Sequence, residues 1–221
     1  MLESLKERVW KANLRLVEAG LVLQTEGNVS ERSTDGRFVV IKPSGVPYHE
    51  LKPEHFVVVD MEGRVCEGTF KPSTDLPTHL ELYLAKPDIG GIAHTHSLHA
   101  TCWAQAGESL PCFGTTHADA FGDTVPVTRH LTPEEVVEAY ERFTGRAILE
   151  VISSGARAVL VTGHGPFTFG ESAHRAVDYA EILEKVARMA LLKTPQKPLP
   201  EHVRRKHWER KHGSGRYYGQ G

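Results

Sequence analysis

The stretch Gly90-Gly91-Ile92-Ala93-His94-Thr95-His96-Ser97 constrains this chain more than any other. A short apolar run opens on two glycines and ends in two histidines two residues apart. On a β-strand, residues i and i+2 face the same side, so His94 and His96 would set two imidazoles side by side. Imidazole suits zinc and similar borderline metals, and a catalytic zinc takes three protein ligands and leaves one position open. With 13 histidines in 221 residues, about one such pair is expected by chance, so it carries weight only in company.

Composition removes several function classes. A net charge of −2 offers little general field for nucleic acid. No apolar run reaches the roughly 18 residues of a membrane span, and the segment from Met1 to Arg8 has no apolar signal core. The three cysteines, Cys66, Cys102 and Cys112, show no C-x-x-C spacing. They read as buried thiols in a reducing compartment, so the expected location is cytoplasmic.

Leu2, Leu5, Val9, Ala12 and Leu16 repeat at three- and four-residue steps, which predicts a packing helix stopped by Gly20. Glu26-Gly27-Asn28-Val29-Ser30 and the strand Phe38 to Ile41, entering Lys42-Pro43-Ser44-Gly45, contain two glycine turns. Such turns are either plain hairpins or an anion cradle to which Asn28, Lys42 and Ser44 would add donors. Phe56 to Asp60 and the run resuming at Val65 predict a hairpin. Ser73 or Thr74 would cap a helix running to Ala85, as a plain cap or as a cap that also contacts phosphate.

A strand from Ile89 to His94 and a helix from Leu98 to Ala106 follow. The Gly-bounded segment Thr115 to Phe121 reads as irregular and holds Asp119, a candidate acid/base. Val125-Pro126-Val127 reads as a short strand. Thr132 and Glu135 form a capping box opening a helix to about Phe143. The buried strand Ala158 to Val161 leads to His164, flanked by glycines, a candidate third metal ligand. A long amphipathic helix runs from Glu171 to about Leu192. A proline-rich connector, 194–200, then joins a basic helical tail, 201–212, whose charges read as a solvated face. Tyr217 and Tyr218 suggest that the terminus docks on another surface, a neighbouring subunit being one candidate. Short strands linked by hairpins, with helices interspersed, predict one α/β domain with a mainly antiparallel sheet between helices.

These motifs together resemble the class II aldolase/epimerase family. G-N-V-S at 27–30, I-K-P-S-G-V at 41–46, K-P-S-T-D at 71–75, G-G-I-A-H-T-H-S at 90–97, G-T-T-H-A-D at 114–119, H-G-P-F at 164–167 and Y-Y-G-Q at 217–220 occur in the family's order. The resemblance covers nearly the whole chain and is closest to the family's epimerase branch. It implies an αβα domain over residues 1–221 and a ring-shaped homotetramer whose tail, 200–221, completes a neighbouring active site. It implies a metal-dependent 4-epimerase acting on a pentulose 5-phosphate, with a sugar-phosphate aldolase as the alternative and a non-catalytic aldolase-like interaction module as the weaker one. It further implies zinc held by His94, His96 and His164, with Asp75 as a candidate fourth ligand. Gly27, Asn28, Ser44, Gly45, Ser73 and Thr74 would hold the phosphate, and Lys42 and His207 fall at functional positions. Asp119 and Tyr218 would transfer protons. Two departures stand out: Ser73-Thr74 replaces the usual Ser-Ser, and the segment 151–161 is short; position 75 separates the branches, since this chain has Asp75 where the aldolases carry a glutamate base.

Overall fold

The computed structural model of the chain describes residues 2–192, 196–214 and 216–217. Seven strands form one sheet: β1 (Asn28–Arg32), β2 (Phe38–Ile41), β3 (Val57–Asp60), β4 (Val65–Glu67), β5 (Gly91–His94), β6 (Ala158–Val161) and β7 (Gly165–Gly170), in the order β4-β3-β2-β1-β5-β7-β6. Every neighbouring pair of strands is antiparallel. The helices are α1 (Leu2–Glu18), α2 (Leu76–Ala85), α3 (Leu98–Ala106), α4 (Thr115–Phe121), α5 (Pro133–Val151), α6 (Ala173–Leu192) and α7 (Glu201–His212).

The layers follow from period-two alternation. On β2 and β3, Val40 and Val58 face one way and pack with Leu5, Val9, Ala12 and Leu16 of α1 and Ala176, Val177 and Ala180 of α6. Val39, Ile41, Val57 and Val59 face the other way and pack with Leu80, Leu82 and Tyr83 of α2 and Ile148 of α5. The sheet is therefore covered on both faces, as the sequence pattern predicts. Among the described residues, no helix is long and apolar enough to cross a membrane.

Two glycines set the centre of the sheet. A Cβ on Gly90 would lie 2.1 Å from the Glu171 carbonyl oxygen, and one on Gly91 would lie 2.1 Å from the Ser172 carbonyl carbon. The chain entering α6 thus crosses β5 backbone against backbone. Glu31 of β1 completes that crossing, since its Oε2 accepts the Ala173 amide at 2.8 Å.

Several local expectations change. Thr115–Phe121 is a short helix, not irregular, and it rests on α6 and α7. Its start needs no side-chain cap, which is why the sequence hid it. Val125 and Val127 make single bridges to Leu110 and Leu160 rather than a strand, because Pro126 has no amide to donate. The Thr132–Glu135 capping box is present, but α5 continues to Val151 across an extended Ala139 (φ −167°). The cap position of α2 is Asp75 rather than Ser73 or Thr74, although the Ser73 hydroxyl accepts the Asp75 amide at 3.3 Å. Cys112 is buried, whereas Cys66 and Cys102 are exposed thiols, against the expectation of three buried ones.

Candidate metal centre

β5 ends at His94, and His96 lies just beyond it, yet the two rings converge: their Nε2 atoms are 3.1 Å apart. His164 sits in the tight turn between β6 and β7. The pairing of His94 with Phe167 across β5 and β7 brings that turn to the same end of the sheet. The ligating atoms of His94, His96 and His164 all lie within 4.8 Å of one another, and among the described residues this is the one such group of three. The rings meet nearly at right angles in pairs, 72–76°, with centroids 4.7–5.0 Å apart.

Each ring has a reason to be where it is. His94 is buried and stacks on Phe167 at 4.1 Å. Its Nδ1–H donates to the Pro166 carbonyl at 3.0 Å, which leaves Nε2 as a bare lone pair. Burial pushes His94 down to about 3 and also lowers His164, helped there by the nearby His96. His94 is thus a neutral imidazole at pH 7. The Nδ1 of His164 is buried without a hydrogen-bond partner. A bare Nε2 aimed at a second imidazole, beside an orphaned ring nitrogen, fits the need of a divalent cation for unprotonated nitrogen donors.

Asp75 opens α2 beside the triad. Its Oδ2 accepts the Asn28 amide at 2.6 Å. Burial pulls its carboxyl up, but the imidazoles of His94 and His79 and the Asn28 bond hold it below the ordinary carboxylate range. Asn28 therefore faces Asp75, and its Oδ1 is buried without a partner. One turn along α2, His79 is fully buried and shares Ser30 Oγ, at 2.7 Å, with the Tyr83 hydroxyl.

The glycine turns lie on the other side of the same cavity, which has a volume of about 320 Å³. Its walls carry Gly27, Asn28, Lys42, Ser44, Gly45, Ser73, Thr74 and Asp75 together with the three histidines and Glu26. The two serine turns are tied back to back: the Ser44 amide donates to the Lys71 carbonyl and the Ser73 amide to the Lys42 carbonyl, each at 2.9 Å. Both serines line the cavity. Gly27 has φ +69°, and a Cβ there would meet the His94 carbonyl oxygen at 2.9 Å. Lys42 is buried, and its Nζ donates to the Thr25 carbonyl at 2.8 Å, so its ammonium braces the turn. Burial lowers its pKa to about 8, against the pull of Asp75.

Asp119 and His207 stand elsewhere. Asp119 is not among the residues lining this cavity. It pairs with Arg210 at 2.5 and 3.0 Å and with His207 at 3.2 Å, both on α7. Burial pushes its carboxyl up, but Arg210 and Lys211 hold it below its ordinary range. Tyr218 lies outside the described residues. Sequence reasoning missed Glu26, whose Oε2 stands 3.6 Å from His96 Nδ1. A lone carboxylate before a glycine turn gave no signal.

The buried imidazoles make acid unfolding predictable. Burial depresses His79 and His117 to about 4, below the roughly 6.5 of an unfolded histidine. The unfolded chain therefore takes up protons first. The contribution is fully present above pH 6.5 and is lost as pH falls from 6.5 toward 4, at up to about 1.4 kcal/mol per pH unit for each ring. The urea midpoint of metal-free protein should fall steadily between pH 7 and pH 5. A flat midpoint over that range would refute neutral burial of these two rings.

Comparison with known proteins gives one consistent result. The family model described as "Class II Aldolase and Adducin N-terminal domain" matches residues 7–191. The chain is similar to a solved L-fuculose 1-phosphate aldolase, with 28% identity, coverage of 94% of this chain and 95% of that one, and a TM-score of 0.81. It is similar to the YgbL protein of Klebsiella pneumoniae, with 25% identity, coverage of 93% and 98%, and a TM-score of 0.79. It is also similar to the L-fuculose-1-phosphate aldolase of Thermus thermophilus, with 26% identity, coverage of 85% and 93%, and a TM-score of 0.68.

Proposed function

Since the chain belongs to the class II aldolase and adducin N-terminal domain family, we propose that it is a zinc-dependent 4-epimerase interconverting L-ribulose 5-phosphate and D-xylulose 5-phosphate. The observation that carries this reading is one cavity with three histidines at one side and a turn-and-hydroxyl cradle at the other, with Asp rather than Glu at position 75. The aldolases of the family use a glutamate there as base. Asp75 is one methylene shorter, and Asn28 already occupies one of its oxygens.

The carbon to be inverted is not adjacent to the carbonyl, so its C–H is too weakly acidic for direct deprotonation. Cleavage of the bond between carbons 3 and 4, followed by re-addition to the other face of the aldehyde, avoids that step. His94, His96 and His164 would hold a divalent ion, which would supply Lewis-acid stabilisation of the negative charge that develops on the sugar when that bond breaks. In this reading the Gly27 and Gly45 turns, with Asn28, Ser44, Ser73 and Thr74, keep the phosphate while the aldehyde turns. Asp119 and Tyr218 exchange protons with the carbon-4 oxygen on its two faces. Asp119 is not among the described residues lining the cavity of its own chain; in this reading it and the tail serve a neighbouring subunit. In this reading the protein is a cytoplasmic homotetramer with interfacial sites.

A second reading is favoured by likeness to the L-fuculose 1-phosphate aldolase structure: an aldolase that releases its aldehyde. A coupled assay for D-xylulose 5-phosphate from L-ribulose 5-phosphate, with and without chelator and restored zinc, separates the two. Chelator-sensitive, zinc-restored product is the expected result. Free glycolaldehyde phosphate in its place would establish the aldolase.

A further inference from the structure

We propose that Glu26 is the positioning residue of His96: its carboxylate holds that ring with Nδ1 protonated and Nε2 bare for a divalent cation. The inference rests on the triad binding such an ion, and it adds a residue outside the G-N-V-S motif that Gly27 opens.

The two histidines need the same preparation and obtain it differently. His94 has its Nδ1–H fixed by the Pro166 carbonyl. His96 has its Nε2 against that of His94, and toward its Nδ1 it meets Glu26 Oε2 at 3.6 Å. The 3.6 Å separation is just beyond hydrogen-bond range, but a carboxylate can only accept, so its negative charge favours the tautomer with hydrogen on Nδ1. A carboxylate behind a ligating imidazole also raises the ring's basicity toward the metal.

Glu26 is itself held. Its Oε1 accepts the Leu23 amide at 2.8 Å. Lys42 donates to the carbonyl of the preceding residue, Thr25, at 2.8 Å. The buried Tyr48 hydroxyl stands 3.0 Å from the Glu26 carbonyl and 3.2 Å from that of Gly27. Two buried side chains, Lys42 and Tyr48, thus direct donors onto three successive carbonyls of one turn. With one oxygen on Leu23 and the other facing His96, Glu26 is placed to orient rather than to shuttle protons.

The test is cobalt titration of the metal-free protein, followed by visible absorption, with zinc competition, on wild type, E26A, E26Q and H96A. E26Q is the informative change. Its amide oxygen can keep the Leu23 bond, but its NH₂ then faces His96 Nδ1 and favours the wrong tautomer. Both Glu26 variants should bind cobalt about 10–100-fold more weakly, the span for such supporting carboxylates. E26Q should keep the wild-type thermal midpoint, and ¹⁵N shifts of its metal-free His96 ring should report the opposite tautomer. Cobalt affinity within twofold of wild type in both variants would overturn the proposal. So would loss in E26A with wild-type affinity in E26Q, which would assign Glu26 to folding of the turn. If wild type and H96A both ignore cobalt, the metal reading falls and this role with it. Wild-type binding with indifferent Glu26 variants removes the Glu26 role alone.

Discussion

If the triad holds a divalent ion as proposed, His96→Ala should bring bound metal to near zero and lower turnover by on the order of 10³-fold or more. A Lewis-acid cation is worth several kcal/mol of transition-state stabilisation, and each 1.36 kcal/mol is a factor of ten. His96 is the cleanest of the three candidate ligands to remove. Its side chain is 37% exposed, so truncation opens little cavity. His94, by contrast, stacks on Phe167 and donates to Pro166, so its loss would mix folding with chemistry. The thermal midpoint of the metal-free His96→Ala protein should match that of metal-free wild type. Elemental analysis after dialysis, paired with steady-state rates, reads both effects. Undiminished metal with full activity would remove His96 from the site.

Gly91→Ala should be the most damaging single-methyl change in the sheet. The added Cβ would meet the Ser172 carbonyl carbon at 2.1 Å and the Ala173 nitrogen at 2.3 Å, backbone atoms that cannot rotate away. Overpacking of this kind costs about 1–3 kcal/mol where side chains can yield, and more where they cannot. A loss beyond about 3 kcal/mol lowers the thermal midpoint of a chain this size by roughly 6–12 °C. Gly36→Ala is the control. Gly36 has φ +73° but open space around its Cβ position, so only the left-handed backbone term of about 1–2 kcal/mol applies. A Gly91→Ala protein melting within 2 °C of wild type would show that the crossing of β5 by the chain entering α6 is not tight.

What the sequence reveals about this protein is what periodicity and short motifs carry. The three- and four-residue steps of Leu5, Val9, Ala12 and Leu16 gave α1, and the unbroken apolar run Val57 to Val59 gave a strand, which the structure covers on both faces. The H-x-H pair and the glycine-flanked His164 pointed to the triad because ligand spacing is local or turn-bound. The sequence could not show that Gly90 and Gly91 exist to let another backbone pass, because the partner residues, Glu171 and Ser172, lie far along the chain. Glu26 was invisible for the same reason: its meaning depends on His96, Leu23 and the carbonyls that Lys42 and Tyr48 hold. The helix over Thr115–Phe121 was hidden because packing on α6 and α7, rather than capping or pattern, supports it.

The triad joins residues 94 and 96 to residue 164, segments that meet only because β5 pairs with β7. An unfolded chain has no comparable set of donors, so an ion at this site acts as a clasp on the folded form alone. By mass action, free ion at one hundred times its dissociation constant adds about 2.7 kcal/mol to the fold. Such a gain is a sizeable share of the roughly 5–15 kcal/mol that holds an ordinary domain together. If the triad holds an ion, the lifetime of this protein would follow metal supply, so that scarcity removes the fold along with whatever the ion does there.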